Sequence, residues 1–191
     1  IKSVIIVAPY SFFYFTAQIN ALKIDCTYSM MQNWGSIKSL YTCTVRNTLT
    51  INEPNVAIDS ITGNHESGKS NAMVEGIYIA GSCQYFPEGF KKFFPHLKTI
   101  RFSSGLKEIH QSDLRPLTEL EVLNFDGSQL QYFEKDLFKY NPRLRAFAGC
   151  FNKLAYIHPQ VFDNLSDLST LFLQNNVCEF TSTDKNRAQV L

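Results

Sequence analysis

The sequence predicts an α/β solenoid: a curved parallel β-sheet of stacked short units, preceded by an N-terminal β-hairpin cap linked by a disulfide. Three observations carry that prediction. Apolar residues recur at intervals of 23 and 24 positions through the second half of the chain. Leucine is distributed unevenly, with only Leu22, Leu40 and Leu49 before residue 97 and 14 leucines between Leu97 and Leu173. Two alternating runs, each holding a cysteine, flank a turn-like stretch near the start. A chain of 191 residues that is 45% hydrophobic can bury one sizeable core, which excludes a disordered chain. With 18 Lys+Arg against 17 Asp+Glu, the net charge of +1 gives no general pull toward nucleic acid, anionic membrane or acidic substrate.

Residues 1–21 have the layout of a secretory leader. Lys2 supplies the positive start, Val4 to Val7 and Phe12 to Phe15 the apolar stretch, and Ala17 or Ala21 the small-residue exit. Pro9 and Tyr10 interrupt the apolar run, which argues against a membrane anchor; the alternative is an apolar strand packed on the domain. Export would place the chain outside the cell, in an oxidising compartment. There Cys26 and Cys43, on neighbouring strands of one hairpin, can bridge; the alternative is two reduced, buried thiols. Asn164-Leu165-Ser166 is a glycosylation sequon.

Self-comparison sets the architecture. Val74, Leu97, Leu120, Leu144 and Leu168 align at spacings of 23, 23, 24 and 24. Apolar residues follow three and five positions on: Ile77 and Ile79, Ile100 and Phe102, Leu123 and Phe125, Leu171 and Leu173. In the fourth unit Phe147 keeps the first of these places and Gly149 breaks the second. A small or polar residue comes next (Ser82, Gly105, Ser128, Asn152, Asn176), and then Cys83, Leu106, Leu130, Leu154 or Cys178. This pattern resembles the leucine-rich repeat, L-x-x-L-x-L-x-x-N-x-L, and IHPQVFDNLSDL resembles the 24-residue extracellular variety. The resemblance implies a stack in which each unit lays a strand beside its neighbour's, because no unit can bury its apolar face alone. The chain then divides into a leader (1–21), a cap with a β-hairpin (22–73), about five repeats (74–178) and an incomplete or atypical C-terminal cap (179–191). Cys83 sits at a core position, while Cys150 falls on the strand face, too far along the stack to pair with it.

One motif points elsewhere. Gly63 to Ser70 reads GNHESGKS and matches the phosphate-binding loop G-x-x-x-x-G-K-[ST], in which Gly63 and Gly68 would shape the loop, Lys69 would meet phosphates and Ser70 a magnesium ion. A helix should open at Lys69, yet Gly76 and the β-like Ile77-Tyr78-Ile79 follow within two turns. A polar turn between cap and first repeat is the preferred reading, with a nucleotide-binding protein as the alternative. His65, His96, His110 and His158 are scattered without metal-ligand spacing. No nucleophile–base arrangement stands out, so neither catalysis nor a cofactor is expected.

Function is therefore expected on the concave sheet face, where side chains between the inward ones project. The central column reads Tyr78, Arg101, Asn124, Ala148 and Phe172. Flanking columns hold Thr99, Val122 and Thr170 on one side and Ser103, Asp126, Cys150 and Gln174 on the other, with Phe151 and Asn175 at the rim. The expected partner is a protein, with Tyr78, Arg101, Asn124, Asp126, Phe151 and Phe172 as candidate contacts. Resemblance to extracellular repeat proteins implies a secreted recognition, immune or adhesion module, with no membrane insertion by the mature domain; the alternative is a piece of a longer receptor ectodomain.

Overall fold

The computed structural model describes residues 22–32, 35, 38–103 and 105–178. The expected leader at 1–21 and the expected C-terminal cap at 179–191 lie outside these residues. Within them the repeat register holds. Val74, Leu97, Leu120 and Leu144 are buried, as are the inward pairs Ile77 and Ile79, Ile100 and Phe102, Leu123 and Phe125. The strands of successive units are β5 (Gly76–Cys83), β6 (Thr99–Ser103), β7 (Val122–Asn124), β9 (Ala146–Ala148) and β11 (Thr170–Phe172). They pair in parallel, with Ile77, Ile100, Leu123, Phe147 and Leu171 in one row. One carbonyl per rung locks the next. Glu75 O accepts from the N–H groups of Lys98 and Thr99, and Lys98 O, Glu121 O and Arg145 O repeat the device along the stack. The fold is a leucine-rich-repeat solenoid.

The return arms hold little regular structure: single helical turns α1 (Phe90–Phe93) and α2 (Gln111–Leu114), and a two-stranded parallel pair, β8 (Tyr132–Phe133) with β10 (Tyr156–Ile157). Between strands and arms runs a phenylalanine spine. The centroid of Phe86 is 5.4 Å from that of Phe102, Phe102 is 6.4 Å from Phe125, Phe125 is 6.2 Å from Phe147, and Phe147 is 5.4 Å from Phe138. Most of these contacts are tilted or edge-to-face, the arrangement that the ring quadrupole favours. The spine explains Gly149. A Cβ built there would lie 3.0 Å from the Phe147 ring and 3.4 Å from Leu173, so Phe147 already fills the space that the missing side chain would take.

Asparagines stitch the rungs. Asn152 accepts from Leu130 N–H and donates to Phe125 O and Cys150 O, and Asn176 repeats this with Leu154 N–H, Gly149 O and Leu173 O. On the arms, Asn141 donates to Leu114 O and Leu117 O, and the sequon residue Asn164 to Phe138 O. These bonds satisfy backbone groups that the irregular arms would otherwise leave unpaired.

The N-terminal hairpin cap continues the sheet of the repeats. Strand β1 (Leu22–Met31) pairs antiparallel with β2 (Leu40–Val45), and β2 pairs in parallel with β5, placing Thr44 beside Tyr78. Strand β4 (Ile58–Thr62) adds to β1 at the edge, and β3 (Leu49–Ile51) adds to the far half of β5. The result is one nine-stranded sheet. Cys26 and Cys43 form a disulfide across the hairpin, with Cα atoms 5.2 Å apart.

Candidate functional site on the sheet face

The register assembles the expected central column, with Tyr78, Arg101, Asn124, Ala148 and Phe172 side by side on consecutive strands, and adds Thr44 beside Tyr78. Their exposures differ from a uniformly open face. Arg101 is exposed, Tyr78 and Phe172 are half-buried, and Asn124 and Ala148 are buried. Asn124, at 8% exposed, and its neighbour Asp126 are tied into the scaffold. Asn124 Nδ2 donates to Asp126 Oδ2, Asp126 N–H returns a bond to Asn124 Oδ1, and Cys150 N–H donates to Asp126 Oδ1 at 2.7 Å. Both carboxylate oxygens thus accept N–H groups from the protein. Burial, with Asp126 close by, raises the pKa of the Cys150 thiol, whose Sγ lies 2.9 Å from Gln174 Oε1.

The flanking column on the other side is largely covered, with only Thr170 half-buried. Thr99 is buried, and Val122 and Ala146 are each 1% exposed. Gly35, between β1 and β2, is packed on Val122 and Ala146. A Cβ added at Gly35 would fall 3.0 Å from Ala146 Cβ and 3.2 Å from Val122 Cγ1, and its φ of +71° is a left-handed value that favours glycine. Gly35 therefore lies over β7 and β9, several strands from its own. Alternation alone places Thr99 and Val122 on the surface; both are instead buried, Val122 beneath Gly35 through a contact with no periodic signature.

Charges near the face are sorted. Glu75, Lys98, Glu121 and Arg145 occupy equivalent places ahead of four strands and alternate in sign. Lys98 Nζ contacts Glu75 Oε1, and Arg145 Nε lies 3.3 Å from Glu121 Oε2. The hydrogen bond to Glu75 raises the pKa of Lys98. Arg101 differs. Its guanidinium lies 4.8 Å from the centre of the Tyr78 ring, and no carboxylate among the described residues forms an ion pair with it.

Phe151 stands at the rim, 65% exposed, with φ 54°. The equivalent position of the preceding rung is Gly127 (φ 71°), and Asn175 follows at φ 59°. The bend of these three rungs uses a left-handed residue there, which suits Gly127 and leaves Phe151 as an aromatic side chain in a strained backbone conformation.

The loop 63–70 is occupied by its own contacts. Gly63 lies against β1, where a Cβ would be 2.1 Å from Cys26 O. Lys69 Nζ is 2.6 Å from Glu66 Oε2 and 4.2 Å from the centre of the Tyr41 ring. Gly68 turns the chain at φ +76°. Ser70 precedes a three-residue 3-10 turn, Asn71–Met73, in place of the helix that phosphate binding would use. The loop's centre is His65, stacked 3.8 Å from Tyr28. Asn71 Oδ1, an acceptor, lies 3.0 Å from His65 Nε2 and accepts from Tyr28 Oη. Tyr41 Oη accepts Glu66 N–H and lies 3.1 Å from His65 Nδ1. The consistent assignment puts hydrogen on Nε2 and points the Tyr41 hydroxyl hydrogen at Nδ1. Burial is the main cause that raises the pKa of Tyr28 to about 12. The aromatic and amide residues of this cluster were visible in the sequence, but nothing in their spacing brings them together.

A polar cavity of about 320 Å³ opens beside this loop, lined by Asp25, Cys26, Thr27, Arg46, Gly63 and Asn64. Arg46 grips Asp25 at 2.7 and 2.9 Å and holds its carboxyl pKa below the usual value. Among the described residues, no group of three or more His, Cys, Asp or Glu is placed to hold a metal ion, and no helix is long and apolar enough to cross a membrane.

Neither protein-family models nor curated protein sequences match the chain. Solved structures do. One is the Toll–Spätzle complex, a hub of development and innate immunity in Drosophila, at TM-score 0.52 and 17% identity; the match covers 62% of this chain. Another is the complex of TLR13 with ssRNA13, at TM-score 0.47, 17% identity and 62% coverage. This chain spans 16% and 18% of the length of the chains it matches. The likeness to the Toll complex is one of fold, and it agrees with the repeat register.

Proposed function

We propose that this chain is an exported, non-catalytic recognition module that binds a protein through the concave face of its sheet. Tyr78, Arg101 and Phe172 are its main contacts, with Phe151 at the rim. The observation that carries this reading is the exposed Arg101, set over the Tyr78 ring and without an ion-pairing carboxylate among the described residues, beside a row in which Lys98 and Arg145 are paired with Glu75 and Glu121. Asn124 and Asp126 support the floor of the site. The fold it shares with part of the Toll–Spätzle complex supports recognition of protein by protein, and the leader-like start and the disulfide support export. The sequon at Asn164 would carry its glycan on a return arm, away from this face.

Photo-crosslinking tests the proposal. A benzoylphenylalanine replacing Phe172 should capture a partner from extracellular fluid, and the adduct should vanish when Tyr78 and Arg101 are both replaced by alanine. The same probe at Tyr156, on the arm, should capture nothing. Capture from Tyr156 alone would move the binding surface to the arm.

A further inference from the structure

We infer that the partner enters as an extended segment, presenting an Asp or Glu side chain to Arg101 and an apolar side chain to Phe172. This inference rests on the reading of the concave face just given and specifies the chemistry recognised there. The charge pattern is the first argument. Of the basic side chains around this face, Lys98 and Arg145 already hold Glu75 and Glu121. Asp126, one rung beyond Arg101, has its oxygens turned to Cys150 N–H and Asn124 Nδ2. Arg101 thus presents a charge that no described carboxylate compensates, with its guanidinium 4.8 Å from the centre of the Tyr78 ring. A guanidinium fork matches a carboxylate in two parallel hydrogen bonds.

Shape is the second argument. Asn124 and Ala148, small and buried, form the floor between Arg101 and Phe172. Gly35 lies on Val122 and Ala146 along one side, and Phe151 stands at the rim of the other. Arg101 and Phe172 are three strands apart, roughly 14 Å at the usual strand spacing. An extended chain crosses that distance in about four residues, so the acidic and apolar side chains should be separated by about that number.

The test uses the full chain with its disulfide intact and a phage-displayed library of random dodecapeptides. Selected peptides should carry an Asp or Glu about four residues from an aromatic or aliphatic residue. Their affinity should fall about tenfold or more in Arg101→Gln and in Phe172→Ala, and stay unchanged in Lys135→Gln on the arm. In Arg101→Glu, binding should return when the peptide's acid is replaced by Lys. Peptides that depend on Phe172 but not on Arg101 would overturn acid recognition while leaving the surface in place. Peptides indifferent to both, or a library from which no peptide dependent on this face emerges, would overturn the surface as well.

Discussion

Replacing Asn152 by alanine should destabilise the protein by about 3 kcal/mol. The side chain is 7% exposed and makes three hydrogen bonds to backbone: it accepts from Leu130 N–H at 3.0 Å and donates to Phe125 O at 3.0 Å and Cys150 O at 3.2 Å. Each such bond contributes about 1 kcal/mol net, and its loss leaves a backbone group inside the stack without a partner. For a chain of this size the loss corresponds to a fall in melting temperature of about 6–12 °C. Urea unfolding followed by circular dichroism measures it, with an unchanged slope showing that the denatured state is unaltered. Two companions separate hydrogen bonding from packing. Asn152→Asp keeps the acceptor but sets a carboxylate against two carbonyls, so it should destabilise at least as much as alanine. Asn176→Ala removes the same three bonds from a half-buried position and should cost about 1–2 kcal/mol. A loss below about 0.5 kcal/mol in Asn152→Ala, or an Asp variant as stable as the parent, would refute the view that this amide clamps successive rungs.

Phe151→Gly should raise the melting temperature by about 1–4 °C, because relief of the left-handed strain exceeds the extra chain entropy of glycine by roughly 0.5–1 kcal/mol; binding of the partner should weaken in the same variant, and a fall in melting temperature would show that the ring packs on the rim. Tyr28 should ionise only near pH 12, read by phenolate absorbance. Its folded-state pKa is raised, so its contribution to stability is intact below about pH 10 and is lost as the pH climbs from there through 12; Tyr28→Phe should flatten that decline. Replacing Cys26 and Cys43 together by serine should cost about 3 kcal/mol, the chain entropy of a loop closed over 17 residues, in the same urea assay.

The repeats were legible because burial imposes a period. Every rung must place the same inward side chains, so Leu97, Leu120 and Leu144 fall in register whatever surrounds them. Fixing the register also fixed the neighbours of Arg101, since a parallel ladder sets whole columns at once. The disulfide was legible for a similar local reason, two cysteines on adjoining strands of one hairpin. What the pattern could not show were contacts that depend on a single excursion of the chain. Gly35 reaching Val122 and Ala146 has no period, and by alternation alone those two positions read as open. The state of Asn124 and Asp126 was hidden differently: a polar side chain on a sheet face can meet solvent or its own neighbours, and only the geometry decides. The ladder Glu75, Lys98, Glu121 and Arg145 was available from the same spacing that located the leucines, because residues 23 or 24 apart stand side by side. The GNHESGKS segment gives the opposite lesson: every residue of the motif is present, but the turn after Ser70 is too short to offer a phosphate the end of a helix.

Because β2 hydrogen-bonds directly to β5, the opening rung is mechanically reinforced: a covalent clasp and flanking strands hold it. Local opening there should be rare, and the amide hydrogens of β5 should exchange among the slowest in the sheet. Arg101 stands one strand from that rung, so whatever it grips is moored to the stiffest part of the ladder.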